Sequence, residues 1–247
     1  MRRILFVFLF LISSPAFALR LADSTTIIPI IGRFPGAGGT QWRTDVFIGN
    51  PYGPATSVTA TFYVSGGAPI TTTLTVGAFS TLSLPDITLN TFGLSNAAGQ
   101  LTLTTSGLIE ARARIYNAGN PAGQFGQNVP GLGKVYLGRQ AYMYGLSGIN
   151  GNRVNVGIAN TNDETLDVGL YIADKNNVRL ASQIYSLQPH ETRQINDIFA
   201  TFGITPQADG VVQFSSPGTM LTFYGYASEV RNDTGDAIFM FGTSPNA

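Results

Sequence analysis

The chain has 247 residues, 44% of them hydrophobic and only 11% charged, with 14 basic against 14 acidic side chains. Ordinary soluble domains carry about a quarter charged residues, so electrostatic capture of nucleic acid or of an anionic membrane is excluded as a way of working. A chain with no Cys and one His also excludes a zinc centre and a disulfide framework, leaving core packing to hold the fold together.

Arg2 and Arg3 precede an apolar run from Ile4 to Ile12, and Ala16-Phe17-Ala18 supplies the small-x-small pattern cut by a signal peptidase. Residues 1–18 are therefore predicted to be a signal peptide, and the chain to be exported to the periplasm or beyond. No later stretch approaches membrane-spanning length, so no membrane insertion is expected after cleavage. Losing the leader removes two basic and no acidic residues, which leaves the mature chain slightly acidic.

Ser24 to Ile31 is rich in β-branched residues and opens the mature chain; Pro29 removes a backbone donor, which predicts an edge strand. After a Gly-rich loop, Gln41 to Pro51 (QWRTDVFIGNP) places Trp42, Val46 and Ile48 at strand period and ends in a turn at Asn50. Val58, Ala60, Phe62 and Val64 alternate in the next strand. Ile70–Val76 and Ser80–Leu84 read as two more. Asp86 is placed to cap a short helical turn that ends near Phe92-Gly93. Two strands, Gln100–Thr105 and Leu108–Asn117, close the unit.

Gly151 to Thr161 (GNRVNVGIANT) then returns to the phase of the Gln41 segment, with Val154, Val156 and Ile158 apolar and Asn160 at the turn. Asn196-Asp197-Ile198 answers Pro85-Asp86-Ile87, and Phe202-Gly203 answers Phe92-Gly93. These matches predict an all-β fold of two tandem immunoglobulin-like β-sandwich modules related by an internal repeat of about 110 residues. The modules would span residues 19–117 and 134–247. Residues 118–133, rich in Gly, Pro and Asn, read as a linker, although Phe125 and Val129 also allow a short extra strand.

Pro35 to Asp45 (PGAGGTQWRTD), Asn50-Pro51 and the Gly123 to Gln127 stretch (GQFGQ) resemble a repeat found in exported proteins of environmental bacteria. The resemblance spans nearly the whole mature chain and is strongest in the first copy; in the second, Asn152 stands where Trp42 does. It implies export and a repeated β-sandwich, and it implies no chemistry.

Few residues here are suited to catalysis. His190, in Gln188-Pro189-His190-Glu191, lacks an evident nucleophile or orienting acid and reads as a solvated turn histidine. Asp163, Glu164 and Asp167 form the densest acidic cluster and, with Asn160 and Asn162, are a weak calcium candidate. No spaced Asp/Asn loop motif accompanies them, so a solvated turn is the expected state. Trp42 can stack on a sugar ring or simply pack in a core. Arg43 and Asp45 lie two apart on one strand face and read as a local surface pair. Finally, Glu110, Arg112 and Arg114 make one strand face wet, whereas the aligned Leu221 and Phe223 are apolar, which predicts that Leu221 and Phe223 mark an interface, internal or with a partner.

The function expected from these features is non-catalytic surface interaction, as an adhesin, matrix component or scaffold, without cofactors, meeting a protein or a neutral glycan surface. A carbohydrate-binding module centred on Trp42 is the alternative. A periplasmic chaperone fits the size and the leader, but such proteins look basic and hold a partner's terminus with Arg and Lys, while this chain has only Lys134 and Lys175. An enzyme is the remaining alternative, since fold alone never excludes one.

Overall fold

The computed structural model describes residues 22–36, 39–217 and 221–243. The predicted leader lies outside the described residues. In the N-terminal half, β1 (Asp23–Pro35), β2 (Gln41–Asn50), β3 (Thr56–Val64), β4 (Ile70–Val76), β5 (Ser80–Leu84), β6 (Ala97–Asn117), β7 (Gly126–Pro130) and β8 (Leu132–Gly133) are joined in one strongly bent antiparallel system ordered β4-β3-β6-β1-β2-β5. Its bend rests on β6, a single 21-residue strand where the sequence predicts two. The first part of β6 pairs with β3, from Val58↔Thr105 to Val64↔Gly99, and the second part pairs with β2, from Gly49↔Glu110 to Trp42↔Asn117.

Alternation decides which side chains fill the space so enclosed. Val58, Ala60 and Phe62 on β3, Leu101 and Leu103 on β6, and Val46 and Ile48 on β2 are all fully buried in one core, with the Phe92 ring tilted against Phe62 at 5.2 Å. Each of these side chains larger than Ala60 contributes about 1.5–3 kcal/mol by leaving water. Contrary to the edge-strand expectation, β1 pairs with both β6 and β2 and also with β8. Pro29 is tolerated because it sits at the register shift between Ile28 and Ile31, where the ladder is already interrupted.

The presumed linker is also mostly ordered structure: β7 extends the sheet along β6, and β8 pairs with β1. Val129 is the reason, since it enters the first core with no exposed surface. Gly126 permits the approach, because a Cβ there would lie 2.2 Å from the Ile115 carbonyl oxygen.

The C-terminal half contains β9 (Gln140–Leu146), β10 (Asn152–Asn160), β11 (Leu166–Ala173), β12 (Arg179–Leu187), β13 (Thr192–Ile195), β14 (Gly210–Ser215), β15 (Phe223–Arg231) and β16 (Ala237–Phe241). They form two four-stranded sheets, β13-β10-β15-β16 and β12-β11-β14-β9, that enclose one core. The whole is all-β in several sheets, compatible with a β-sandwich. Two one-turn helices are the α-helices among the described residues: α1 (Ile87–Asn90) and α2 (Ile198–Thr201). None is long and apolar enough to cross a membrane.

Asn50 and Asn160 end β2 and β10 in the same manner. The Asn50 amide donates to the carbonyls of Pro54 (2.8 Å) and Gly77 (3.1 Å), and its oxygen accepts the Tyr52 amide. The Asn160 amide donates to the carbonyls of Glu164 (2.8 Å) and Gln188 (2.9 Å), and its oxygen accepts the Asn162 amide. Each asparagine thus ties three chain segments together at the end of the strand.

The halves dock directly. Leu132, Ala159, Tyr224 and Tyr226 form a separate buried cluster between them, joined by Ile30 and Phe239, and Phe239 stacks on Tyr226 at 5.2 Å. Polar contacts pin the edges. Thr192 Oγ1 donates to the Pro29 carbonyl at 2.7 Å, the Tyr224 hydroxyl to the Pro130 carbonyl at 2.9 Å, and Asn120 Nδ2 to the Thr234 carbonyl at 2.9 Å.

Candidate functional site

Residue pairing around the docked face corrects the predicted interface. Val46 faces Ala113 across β2 and β6, while Val156 faces Ala227 across β10 and β15. Glu110, Arg112 and Arg114 therefore correspond to Tyr224, Tyr226 and Ser228. Phe223 is 2% exposed inside the C-terminal core, edge-on to Phe214, and Leu221 packs partly buried against the same core. A constant offset fails because β6 runs unbroken whereas β14 and β15 are separate strands with extra residues between them. That insertion changes the phase, and an odd shift carries every side chain to the other face. Tyr224 and Tyr226, each 1% exposed, occupy the covered face instead. Gly157 on the neighbouring strand makes room for the Tyr226 ring, since a Cβ there would meet it at 2.0 Å.

Arg43 and Asp45 do not pair with each other. Both meet Asp86: Arg43 donates to its Oδ2 at 2.9 Å, Arg33 of β1 donates to the same oxygen, and the Asp86 backbone amide donates to Asp45 Oδ1 at 2.9 Å. The Tyr116 hydroxyl donates to Asp45 as well; burial first, and then the Asp45 carboxylate, pushes the Tyr116 pKa up. Asp86 has left-handed backbone (φ 43°) and makes no side-chain cap bond, as does Asp197 (φ 42°) before α2. The capping expectation is thereby corrected for both, because a capping side chain acts from extended backbone.

At the second of these turns the side-chain complement differs. The Asp197 amide donates to Asn155 Oδ1 at 3.0 Å, the same bond with a neutral acceptor. Arg153, in the place of Arg43, donates instead to Asn232 Oδ1. Among the described residues no donor bonds the Asp197 carboxylate. Burial lowers the Arg153 pKa, and the charge of Asp197 opposes that shift.

This second cluster lines a cleft of about 490 Å³ between the halves. The N-terminal half contributes Phe34, Trp42 and Ile115; the C-terminal half contributes Arg153, Asn155, Gln194, Asn196 and Asp197. Phe34 and Trp42 are directly opposed across β1 and β2, so two aromatic side chains stand together on one wall. Trp42 is half-buried against the first core and has one edge under Gly36. Arg43 lies at the Asp86 cluster, away from that wall.

A second aromatic surface lies elsewhere. Tyr142 and Tyr144 of β9 stack at 6.1 Å on the outer face of the β12-β11-β14-β9 sheet, and the Arg179 guanidinium lies 4.5 Å over Tyr171. These side chains border an open groove of about 550 Å³ and do not join Trp42 in one site.

The remaining candidates have structural partners. His190 is not a solvated turn residue: its ring stacks on Tyr63 at 3.9 Å and its Nε2 meets Asp163 at 2.8 Å, so it helps join the halves. Tyr63 is raised in pKa, chiefly by burial and then by Asp163. Asp163, Glu164 and Asp167 do not converge, and no group of three or more metal-capable side chains occurs among the described residues.

No family model matches the chain, and no curated protein matches it. Among solved structures, Thermotoga maritima 1070 aligns over 44% of this chain and 91% of its own, at 10% identity and a TM-score of 0.37. A Parabacteroides distasonis protein aligns over 91% of this chain and 81% of its own, at 11% identity and a TM-score of 0.20. A glycosyl hydrolase family 2 member from Bacteroides cellulosilyticus is matched over 86% of this chain but 26% of its own, at 13% identity and a TM-score of 0.19.

Proposed function

We propose that this chain is an exported, non-catalytic tandem of two immunoglobulin-like β-sandwich modules that works by surface interaction, as an adhesin, matrix component or scaffold. The tandem is supported by matched pairings: β2 lies between β5 and β6 as β10 lies between β13 and β15, and β3 lies between β4 and β6 as β11 lies between β12 and β14. Export rests on the leader at residues 1–18. The observation that carries the functional reading is how the reactive side chains are used: His190 is held between Tyr63 and Asp163, and Asp45 and Asp86 are bound into an arginine cluster. These groups, which acid–base chemistry would need free, are committed to architecture, while the cleft, with Asp197 at its wall, and the end loops stay open.

A second reading, neutral carbohydrate binding, is favoured by the paired Phe34 and Trp42 on the cleft wall. The test is direct. Purified mature chain is incubated with immobilised neutral polysaccharides and with envelope material of the producing cell, and with chromogenic glycosides and esters. Retention without turnover is expected; sustained turnover that survives repurification sinks the non-catalytic reading.

A further inference from the structure

We propose that the cleft between the two halves is a binding site for a neutral pyranose ring, with Phe34 and Trp42 as its apolar wall and Arg153 and Asp197 as its hydrogen-bonding side. This rests on the carbohydrate-binding reading above and adds the place and the groups. The volume, about 490 Å³, falls within the range of small-molecule sites, and such sites favour domain interfaces.

The side-chain chemistry narrows the ligand. At Asp86 two arginines share the Oδ2 oxygen, and Oδ1 is buried out of a ligand's reach, so that turn is closed. At Asp197 the same backbone presents a carboxylate that no described donor bonds, half-buried beside an arginine held by Asn232. A partly desolvated carboxylate gains most from a partner that brings donors to it. One carboxylate and one guanidinium cancel in charge, so an anion meets Asp197 and a cation meets Arg153, each unfavourably. A ligand suited to both brings donors and acceptors on neutral groups at close spacing, which vicinal hydroxyls provide. The exposed amides of Gln194 and Asn196 bond each other at 2.7 Å, which leaves Asn196 Nδ2 as a further donor beside them. The opposite wall asks for a flat apolar face, and the C–H face of a pyranose ring fits an aromatic side chain.

The chain's one tryptophan is on this wall, so its fluorescence reports on the cleft alone. Mature full chain is titrated with cellotriose, maltotriose, laminaritriose, mannotriose and chitotriose, following tryptophan emission and, in parallel, heat by calorimetry. At least one trisaccharide is expected to shift the emission saturably. Asp197→Asn and Arg153→Gln are each expected to weaken it about tenfold or more, the scale of one hydrogen bond to a charged group, and Arg112→Gln on the far face to leave it unchanged. Thermal melts of each variant separate lost binding from lost folding, and Trp42→Phe gives a conservative check by calorimetry. Calorimetric binding that leaves the emission still and persists in Asp197→Asn overturns the cleft while sparing carbohydrate binding, and directs attention to the Tyr142–Tyr144 groove. Absence of binding by any trisaccharide in both measurements overturns the cleft and the carbohydrate reading together, leaving surface interaction with protein.

Discussion

The strand face bearing Glu110, Arg112 and Arg114 and the matched face bearing Tyr224, Tyr226 and Ser228 have the same backbone pairings and opposite surroundings. On β6 the face is wet, with Arg112 lying 4.9 Å over Phe47 and Arg114 over Tyr116. On β15 it is sealed against the N-terminal half. The acidic turns differ in the same sense, since Asp86 is locked by Arg33 and Arg43 while Asp197 faces the cleft without a bonded donor. Backbone geometry is thus common to the halves, and side-chain choice on the outer face decides which half closes on itself and which half meets a neighbour.

The largest test of that contrast is to truncate matched positions. Tyr226→Ala should cost about 3–5 kcal/mol, the scale of losing a large buried aromatic, while Arg112→Ala should lie within about 0.5 kcal/mol of the parent. Urea unfolding followed by circular dichroism reads both; equal losses would remove the distinction between a sealed and a wet face.

Asp86→Asn keeps a side chain that tolerates left-handed backbone and deletes the charge that two arginines share. With all three side chains partly shielded, a loss of about 2–3 kcal/mol is expected. Asp197→Asn should cost less than about 1 kcal/mol in the same melts, because no ion pair is broken. A reversal of that order would show that Asp197, not Asp86, is the structural member.

Asn50→Ala and Asn160→Ala should behave alike, each losing about 1–3 kcal/mol as a buried amide that bonds several loop segments is removed. Here the halves agree, so a large difference between the two variants would mean that one turn is braced by something else.

The smallest expected effect is alkaline. Burial raises the pKa of Tyr226, and burial followed by the nearness of Tyr226 raises that of Tyr224, so the folded chain keeps protons that the unfolded chain loses near pH 10. Their contribution is therefore fully present below about pH 10 and falls as pH rises above it. Tyr224→Phe, which also loses the bond to Pro130, should flatten the fall in melting temperature above that pH. An unchanged slope would place the alkaline sensitivity elsewhere.

Local pattern carried much of the architecture. Alternation in Val58-Thr59-Ala60-Thr61-Phe62 and in Val154 to Ile158 marked the core faces, and Asn50, Asn160 and the Asp86 and Asp197 turns fell where they were expected. What local pattern missed depended on distant segments. Nothing near Asp86 in sequence announces Arg33, which reaches it only once β1 and β2 lie side by side. The slip between β14 and β15 is an insertion in a connection, invisible to a constant offset, and it moved the interface from Phe223 to its neighbours. His190 looked solvated because its covering residue, Tyr63, belongs to the other half. For Trp42, spacing indicated an aromatic at the start of a core strand; the cleft beside it exists only because β10, β13 and β15 supply the facing wall.

The unbroken course of β6 has a consequence for cooperativity. Its 21 residues are hydrogen-bonded in turn to β1, β3, β2 and β7, so the centre of the N-terminal half, unlike its edge strands β4 and β5, cannot open without disturbing one shared strand. In the C-terminal half the corresponding strands, β14 and β15, belong to different sheets and can lose their ladders separately. Amide hydrogens along β6 should accordingly exchange together, at one opening free energy, while those of β14 and β15 fall into two classes. One half of this chain would then respond to heat or tension as a single latch, and the other as two.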